Sequence, residues 1–207
     1  MRTPPPLIEF WFDLASTYSY VAAADVARLE DEGRARIDYR PFLLGPVFAA
    51  QGWQDSPFNL YPAKGDYMWQ DLARLCEERG LPLRRPAVFP RNSVLPACVT
   101  LAGLDQGWGK RFVLSAYTAS FGYDIDIAGA NGLRMMLEGL QVEPDAVLVL
   151  AASQAVRARL RENTAEAMRR GVFGAPSFFA GDTLFWGTDR LAHALRHATR
   201  QKVEDGQ

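Results

Sequence analysis

The 207 residues fit one domain of generous size, or one small domain carrying a large insertion. Apolar residues make up 48% and charged residues 23%, which puts a packed core within reach and disfavours global disorder. A formal charge of -1 points to neither nucleic acid nor an anionic membrane, and no apolar run is long enough to span a bilayer. The opening MRTPPPL lacks the apolar stretch of a signal peptide. Cys76 and Cys98 lie far apart in apolar, helix-like contexts, so no disulfide framework is indicated and a reducing cytoplasm is the expected compartment.

Pro4, Pro5 and Pro6 hold the start of the chain extended. Leu7, Ile8, Phe10, Trp11 and Phe12 then form a short apolar run that reads as a buried strand. After Asp13 the period changes. Val21, Ala22, Val26 and Leu29 recur at helical spacing, with Ser16 at the N-cap and Thr17 beside it as an alternative cap. That helix ends near Gly33, and residues 35–42 alternate as a second strand, so the three elements form a right-handed parallel βαβ unit. Residues 43–62 are rich in Gly, Pro and aromatics, too apolar for an idle linker, and are expected to line a cleft.

Residues 64–170 show no strand pattern. Helices are expected over 65–79, 93–104, 110–120, 133–140, 145–152 and 154–170, with an irregular connector at 82–90. The β pattern returns at 176–180, turns at Gly181-Asp182 and pairs with 183–186. Thr188 or Asp189 caps a last helix over 190–200, and residues 201–207 are expected to fray. The result is an α/β, thioredoxin-like βαβ…ββα domain (residues 1–45 and 171–207) with an all-helical insertion (46–170).

A strand running straight into a helix aims the free N–H groups and positive dipole end of that helix at whatever lies beyond the strand tip. Thioredoxin-type redox proteins place Cys-x-x-Cys there, because a helix N-terminus lowers a thiol pKa. Here Ser16-Thr17-Tyr18-Ser19 takes that place, so the motif cannot run dithiol–disulfide exchange. Ser16 has no base nearby in sequence, since His193 and His197 are both on the last helix, and no Gly-x-Ser-x-Gly elbow is present. It either caps the helix and no more, or also donates its hydroxyl hydrogen to a thiolate carried by a ligand. Pro176, directly before a short strand, is a candidate for a cis bond, which would leave the Ala175 backbone to pair with a peptide-like ligand. Thr188 and Asp189 open another helix, as a plain cap or as a grip for an amino-acid head group. The two histidines have i, i+4 spacing but no third ligand, so no metal site is assigned. Trp53, Phe58, Tyr61, Tyr67, Met68 and Trp69 divide between an aromatic pocket wall and plain core, and Asn92 is the expected N-cap of the helix at 93.

The stretches FWFDLASTYSYVA, DYRPFLLGPVF, YPAKGDYMWQDLARL, FPRNS, RGVFGAPSFF and LFWGTDRL run nearly end to end. As a set they resemble the 2-hydroxychromene-2-carboxylate isomerase family, related to the kappa-class glutathione transferases within the DsbA-like thioredoxin folds. The resemblance implies glutathione as cofactor. It implies Ser16 as the catalytic residue that hydrogen-bonds the glutathione sulfur, with Thr17 and Tyr18 following at the same helix start. Ala175 and Pro176 would meet the cysteinyl backbone, and Thr188 and Asp189 the γ-glutamyl end. Two departures stand out: Thr17 replaces the usual Pro, and Trp53 stands where relatives often carry a glutathione-contacting Asn, so that contact is lost or passes to Gln54 or Asn59. The implied reaction interconverts 2-hydroxychromene-2-carboxylate and trans-o-hydroxybenzylidenepyruvate by reversible thiolate addition, in a cytoplasmic enzyme that is commonly a dimer. The alternatives are a transferase or peroxidase that consumes glutathione, and a non-catalytic interaction module on the same scaffold.

Overall fold

The computed structural model describes residues 4–205; residues 1–3, which belong to the stretch read as lacking a signal peptide, and residues 206–207 lie outside it. Strand β1 (Leu7–Phe12), helix α1 (Thr17–Asp31) and strand β2 (Arg36–Pro41) form the parallel βαβ unit, with Ile8 opposite Ile37 and Phe10 opposite Tyr39. Strand β3 (Ser177–Ala180) runs antiparallel to β1, and β4 (Thr183–Trp186) antiparallel to β3, giving the order β2-β1-β3-β4. Between β2 and β3 lie α2 (Leu44–Ala50), α3 (Pro57–Leu60), α4 (Pro62–Arg79), α5 (Val94–Asp105), α6 (Gly109–Tyr117), α7 (Ala130–Gly139), α8 (Pro144–Ala152) and α9 (Gln154–Arg169). Helix α10 (Leu191–Asp205) packs across β3, β1 and β4. This is the expected DsbA-type arrangement. No described helix is long and apolar enough to cross a membrane.

The unbroken apolar run of β1 follows from burial on both faces. Ile8, Phe10 and Phe12 enter one large cluster with α1, α10 and the helices between β2 and β3, while Trp11 points the other way onto Phe42, Val47, Ala167 and Phe179. The start and end of the inserted segment are pinned together. Leu43 N donates to Thr164 Oγ1 at 3.1 Å, and Asn163 Nδ2 donates to the Pro41 carbonyl at 3.0 Å.

Several boundaries differ from the sequence reading. Residues 43–62 are not a plain loop: Pro57 supplies a preset φ at the first position of α3, Ser56 caps it, and Pro62 does the same for α4 three residues earlier than the periodicity suggested. The helix expected to reach residue 120 leaves α geometry at Thr118 and passes through a π turn, Thr118–Gly122. The last helix starts through a 3-10 turn at Thr188–Arg190, preceded by Gly187 at φ 107°. Of residues 201–207, expected to fray, 201–205 continue α10 to Asp205, with Lys202 Nζ donating to the carbonyls of Pro4 and Pro5, and 206–207 lie outside the described residues.

One buried carboxylate ties the βαβ unit to the helical segment. Asp13 is 3% exposed. Its Oδ1 accepts from Ala15 N at 2.8 Å, an Asx turn that fixes the bend into α1, and its Oδ2 accepts from Leu44 N at 2.7 Å, the first residue of α2. The Ser93 hydroxyl, at the start of α5, is a further partner. The Asp13 carbonyl accepts from Ser16 N and from the buried Tyr117 hydroxyl, both at 2.8 Å. Burial pushes the Asp13 carboxyl above its ordinary range, and the hydrogen bonds from Leu44, Ser93 and Ala15 pull the other way.

Replacing Asp13 by Ala strands two buried N–H groups, and we expect a stability loss of about 3 kcal/mol by denaturant unfolding. Asp13→Asn removes the charge but still strands one of those N–H groups, so only the pH dependence of the difference isolates the ionisation. Because the folded-state pKa is raised, ionisation weakens the fold. The stability of the natural chain relative to Asp13→Asn should therefore decline as pH rises from the ordinary carboxylate range through the raised value; a flat difference curve would refute the buried charge.

Candidate active site

A cavity of about 1140 Å³ opens at the tip of β1, between the sheet and the inserted helices. Five segments line it: residues 13–18, 43–58, the start of α4, residues 89–94, and residues 173–175 with Trp186. Of the expected site residues, Ser16, Thr17, Tyr18, Trp53 and Ala175 all face this space. Pro176 is buried behind Ala175, and Thr188 and Asp189 lie outside the lining.

Ser16 caps α1, its Oγ accepting from Ser19 N at 3.2 Å. The same Oγ donates to the Ala175 carbonyl at 3.1 Å. Its one hydrogen therefore points at the opposite wall and must turn to reach a ligand. Next to it, Thr17 is 1% exposed and its Oγ1 has no hydrogen-bond partner. The Ala175–Pro176 bond is cis. Gly187 N donates to the Pro176 carbonyl at 3.0 Å, which ties the Thr188–Arg190 turn to the same loop. Asp189 is exposed there and pairs with Arg190 at 3.0 Å.

The cavity walls are largely aromatic. Trp53 packs on Phe48 with centroids 5.6 Å apart and the rings tilted by 49°, and Phe173 packs on Trp186 at 4.9 Å and 56°. A side chain at Gly174 would come within 2.6 Å of Trp186 Nε1, so glycine is needed for that second pair. Phe58 and Tyr67 also line the space, whereas Met68 is wholly buried, Trp69 packs on Phe89 outside it, and Tyr61 is exposed away from it. A second cis bond, Phe89–Pro90, lies in the wall formed by residues 89–94. There Asn92 Oδ1 accepts from Val94 N at 2.9 Å, but α5 begins at Val94 with Ser93 as its N-cap, one residue later than expected, so Asn92 lies just before the cap.

Two cations line the cavity and they differ in availability. Arg91 is committed to Ser120 O and Oγ, at 3.0 and 3.1 Å, and to the Asp124 carboxylate. Lys64 is exposed at the start of α4 with its ammonium 5.4 Å from the Tyr61 ring centre, free to meet an anion. Sequence reasoning passed over Lys64, although Lys64, Tyr67 and Asp71 recur at i, i+3 and i+7 on one face of α4. It also passed over Asp13, whose signal was an acid at the strand tip two residues before a small-residue turn. The Tyr18 hydroxyl donates to Asp71 Oδ2 at 3.0 Å, a pairing 53 residues apart with no local signature. Burial first, and Asp71 second, raise the Tyr18 phenol pKa.

The chain's own thiols stand apart from this site. Cys76 and Cys98 are buried and free, and burial pushes Cys76 up to about 11 and Cys98 in the same direction, so both stay protonated. His193 is exposed and His197 meets Thr183 Oγ1 at 3.0 Å; among the described residues no group of three metal-ligating side chains gathers. Among the described residues the cavity offers a capped helix N-terminus with a hydroxyl, a backbone carbonyl beside a cis proline and one cation outside any ion pair, with the unpartnered Thr17 hydroxyl buried behind them. That set suits a small peptide carrying a thiolate and a carboxylate.

Comparison with known proteins agrees with the fold and narrows the family. The DSBA-like thioredoxin domain model matches residues 7–198. The 2-hydroxychromene-2-carboxylate isomerase of Sphingobium xenophagum is 34% identical over 185 residues, covering 89% of this chain and 93% of that protein. A solved structure of a 2-hydroxychromene-2-carboxylate isomerase superposes with a TM-score of 0.87 at 27% identity, covering 97% of this chain and 98% of that one. Glutathione S-transferase kappa 2 of Caenorhabditis elegans is 27% identical over 200 residues, covering 89% of this chain and 88% of that protein. The chain thus belongs to the DsbA-like thioredoxin family and, within it, to the 2-hydroxychromene-2-carboxylate isomerases.

Proposed function

We propose that the chain is a glutathione-dependent cis–trans isomerase acting on 2-hydroxychromene-2-carboxylate or a similar aromatic-derived conjugated oxo-acid. The observation that carries this reading is the Ser16 hydroxyl, set at a helix N-terminus and bonded across the cavity to the carbonyl beside the cis proline. Relatives named for the isomerase and for glutathione transfer support it. Family resemblance also supports a cytoplasmic homodimer.

Glutathione, when bound, supplies a thiolate able to add to an electrophilic carbon and to leave it again. The residues of the chain prepare that thiolate. The α1 N-terminus favours negative charge at its end, and Ser16 stabilises it by turning its hydroxyl from the Ala175 carbonyl to the sulfur. That turn frees the Ala175 carbonyl to accept a ligand amide, so the two hydrogen bonds exchange instead of one being lost. Lys64 meets a carboxylate, and Asp189 with Thr188 receives an amino-acid head group. The tilted ring pairs Phe48–Trp53 and Phe173–Trp186 offer apolar surface to an aromatic substrate.

The reading is tested by titrating the chain with glutathione in a calorimeter and then following isomerisation with and without it. Glutathione that stays constant while substrate turns over is the expected result; consumption one for one with product would assign a kappa-type transferase or peroxidase instead. Ser16→Ala should keep the fold, lose the thiolate ultraviolet absorbance of bound glutathione at neutral pH, and lower kcat about 10²-fold. Unchanged absorbance in that variant removes Ser16 from its role. Asp189→Ala should weaken glutathione binding about fivefold, as suits an exposed contact, and leave turnover at saturation alone. A change confined to turnover contradicts the head-group assignment.

A further inference from the structure

We propose that Tyr18 and Asp71 form a proton relay between the substrate and the protein, with Tyr18 as a catalytic residue and Asp71 as its proton acceptor. Tyr18 lines the cavity two residues after Ser16, in the first turn of α1, and its ring packs on Phe58 with centroids 6.1 Å apart. Its hydroxyl hydrogen is committed to Asp71 Oδ2 at 3.0 Å. The phenol oxygen therefore keeps its lone pairs for a donor, and it is an acceptor, not a donor, that it presents to a ligand. Asp71 itself is half-buried on α4 and outside the cavity lining, so the route from the cavity to it passes through Tyr18. Among the described residues no lysine, arginine or histidine is ion-paired with Asp71. By helical spacing the other titratable groups on that face of α4 are Lys64, Tyr67, Arg74 and Glu78; Phe58 of α3 brings no charge.

The inference rests on the isomerase reading and supplies a step that the thiolate cannot. A cyclic 2-hydroxychromene must lose the proton of its C2 hydroxyl to open. That proton passes to Tyr18 Oη while the Tyr18 proton passes to Asp71 Oδ2. The O–H electron pair becomes the second bond of a C2 carbonyl, the bond from C2 to the ring oxygen breaks, and its pair stays on that oxygen. Tyr18 then returns a proton to the new phenolate as Asp71 returns its own, so no proton is gained or lost overall.

The test uses Tyr18→Phe and Asp71→Asn in the full chain, with 2-hydroxychromene-2-carboxylate as substrate. Calorimetry with glutathione comes first: both variants should bind it as the natural chain does and keep its thiolate absorbance, while a natural chain that isomerises the substrate without glutathione defeats the glutathione dependence of the reading and leaves the relay to be judged on kcat alone. At saturation kcat should fall about 10²-fold in each variant, and the double variant should be no slower than either. Asp71→Asn separates the relay from a strut, because its amide oxygen still accepts the Tyr18 hydrogen and still joins α1 to α4 but cannot take the proton. Full activity in Asp71→Asn, or unchanged kcat in Tyr18→Phe, overturns the proposal.

Discussion

A carboxylate buried without a counter-ion is the constraint on which the cavity depends. Among the described residues Asp13 is met only by dipoles: N–H groups from the bend into α1 and from the start of α2, and a hydroxyl from the start of α5. Each of these donors sits on a different segment of the cavity wall. Satisfying one side chain therefore fixes three stretches of backbone that the sequence separates by up to 80 residues. Ser16 inherits its position from that arrangement, since its own N–H is held by the Asp13 carbonyl, which Tyr117 also grips from α6.

The chemistry is divided between scaffold and ligand. The sheet and α1 keep the geometry that related folds use for a reactive cysteine, but serine stands at the helix start and the two cysteines are sealed in the core with their thiols protonated. On the proposed reading the helical segment adds the Phe48–Trp53 wall, the Lys64 ammonium and the Asp71 carboxylate, which meet Phe173, Trp186 and the Tyr18 phenol of the thioredoxin part. Function then arises along the seam between the two.

The fold was legible because its signals are local. An apolar run followed by a change of period marked β1 and α1, and Gly181-Asp182 marked the β3–β4 hairpin. The Ser16 cap and the Ala175–Pro176 bond were also readable, each from one or two residues. Helix ends were less so, since the proline-started α3 and α4 hide in a Pro- and aromatic-rich stretch, and the end of α10 is decided by Lys202 reaching the carbonyls of Pro4 and Pro5 at the far end of the chain. The partners of Asp13, the Tyr18–Asp71 bond and the separation of Met68 from Tyr67 all depend on tertiary packing. No window of sequence contains them.

The largest buried cluster runs without a break from Ile8 and Phe10 through α1 to Phe112, Leu137 and Leu160. Its members come from the sheet and from the inserted helices alike, so the two walls cannot swing apart as separate bodies without wetting that interior. Traffic must then pass through the open mouth, by small movements of exposed rings such as Tyr67 and Phe173, and not by a clamshell motion. The same continuity makes assembly of the pocket and collapse of the chain a single event: no partly folded form keeps half a site.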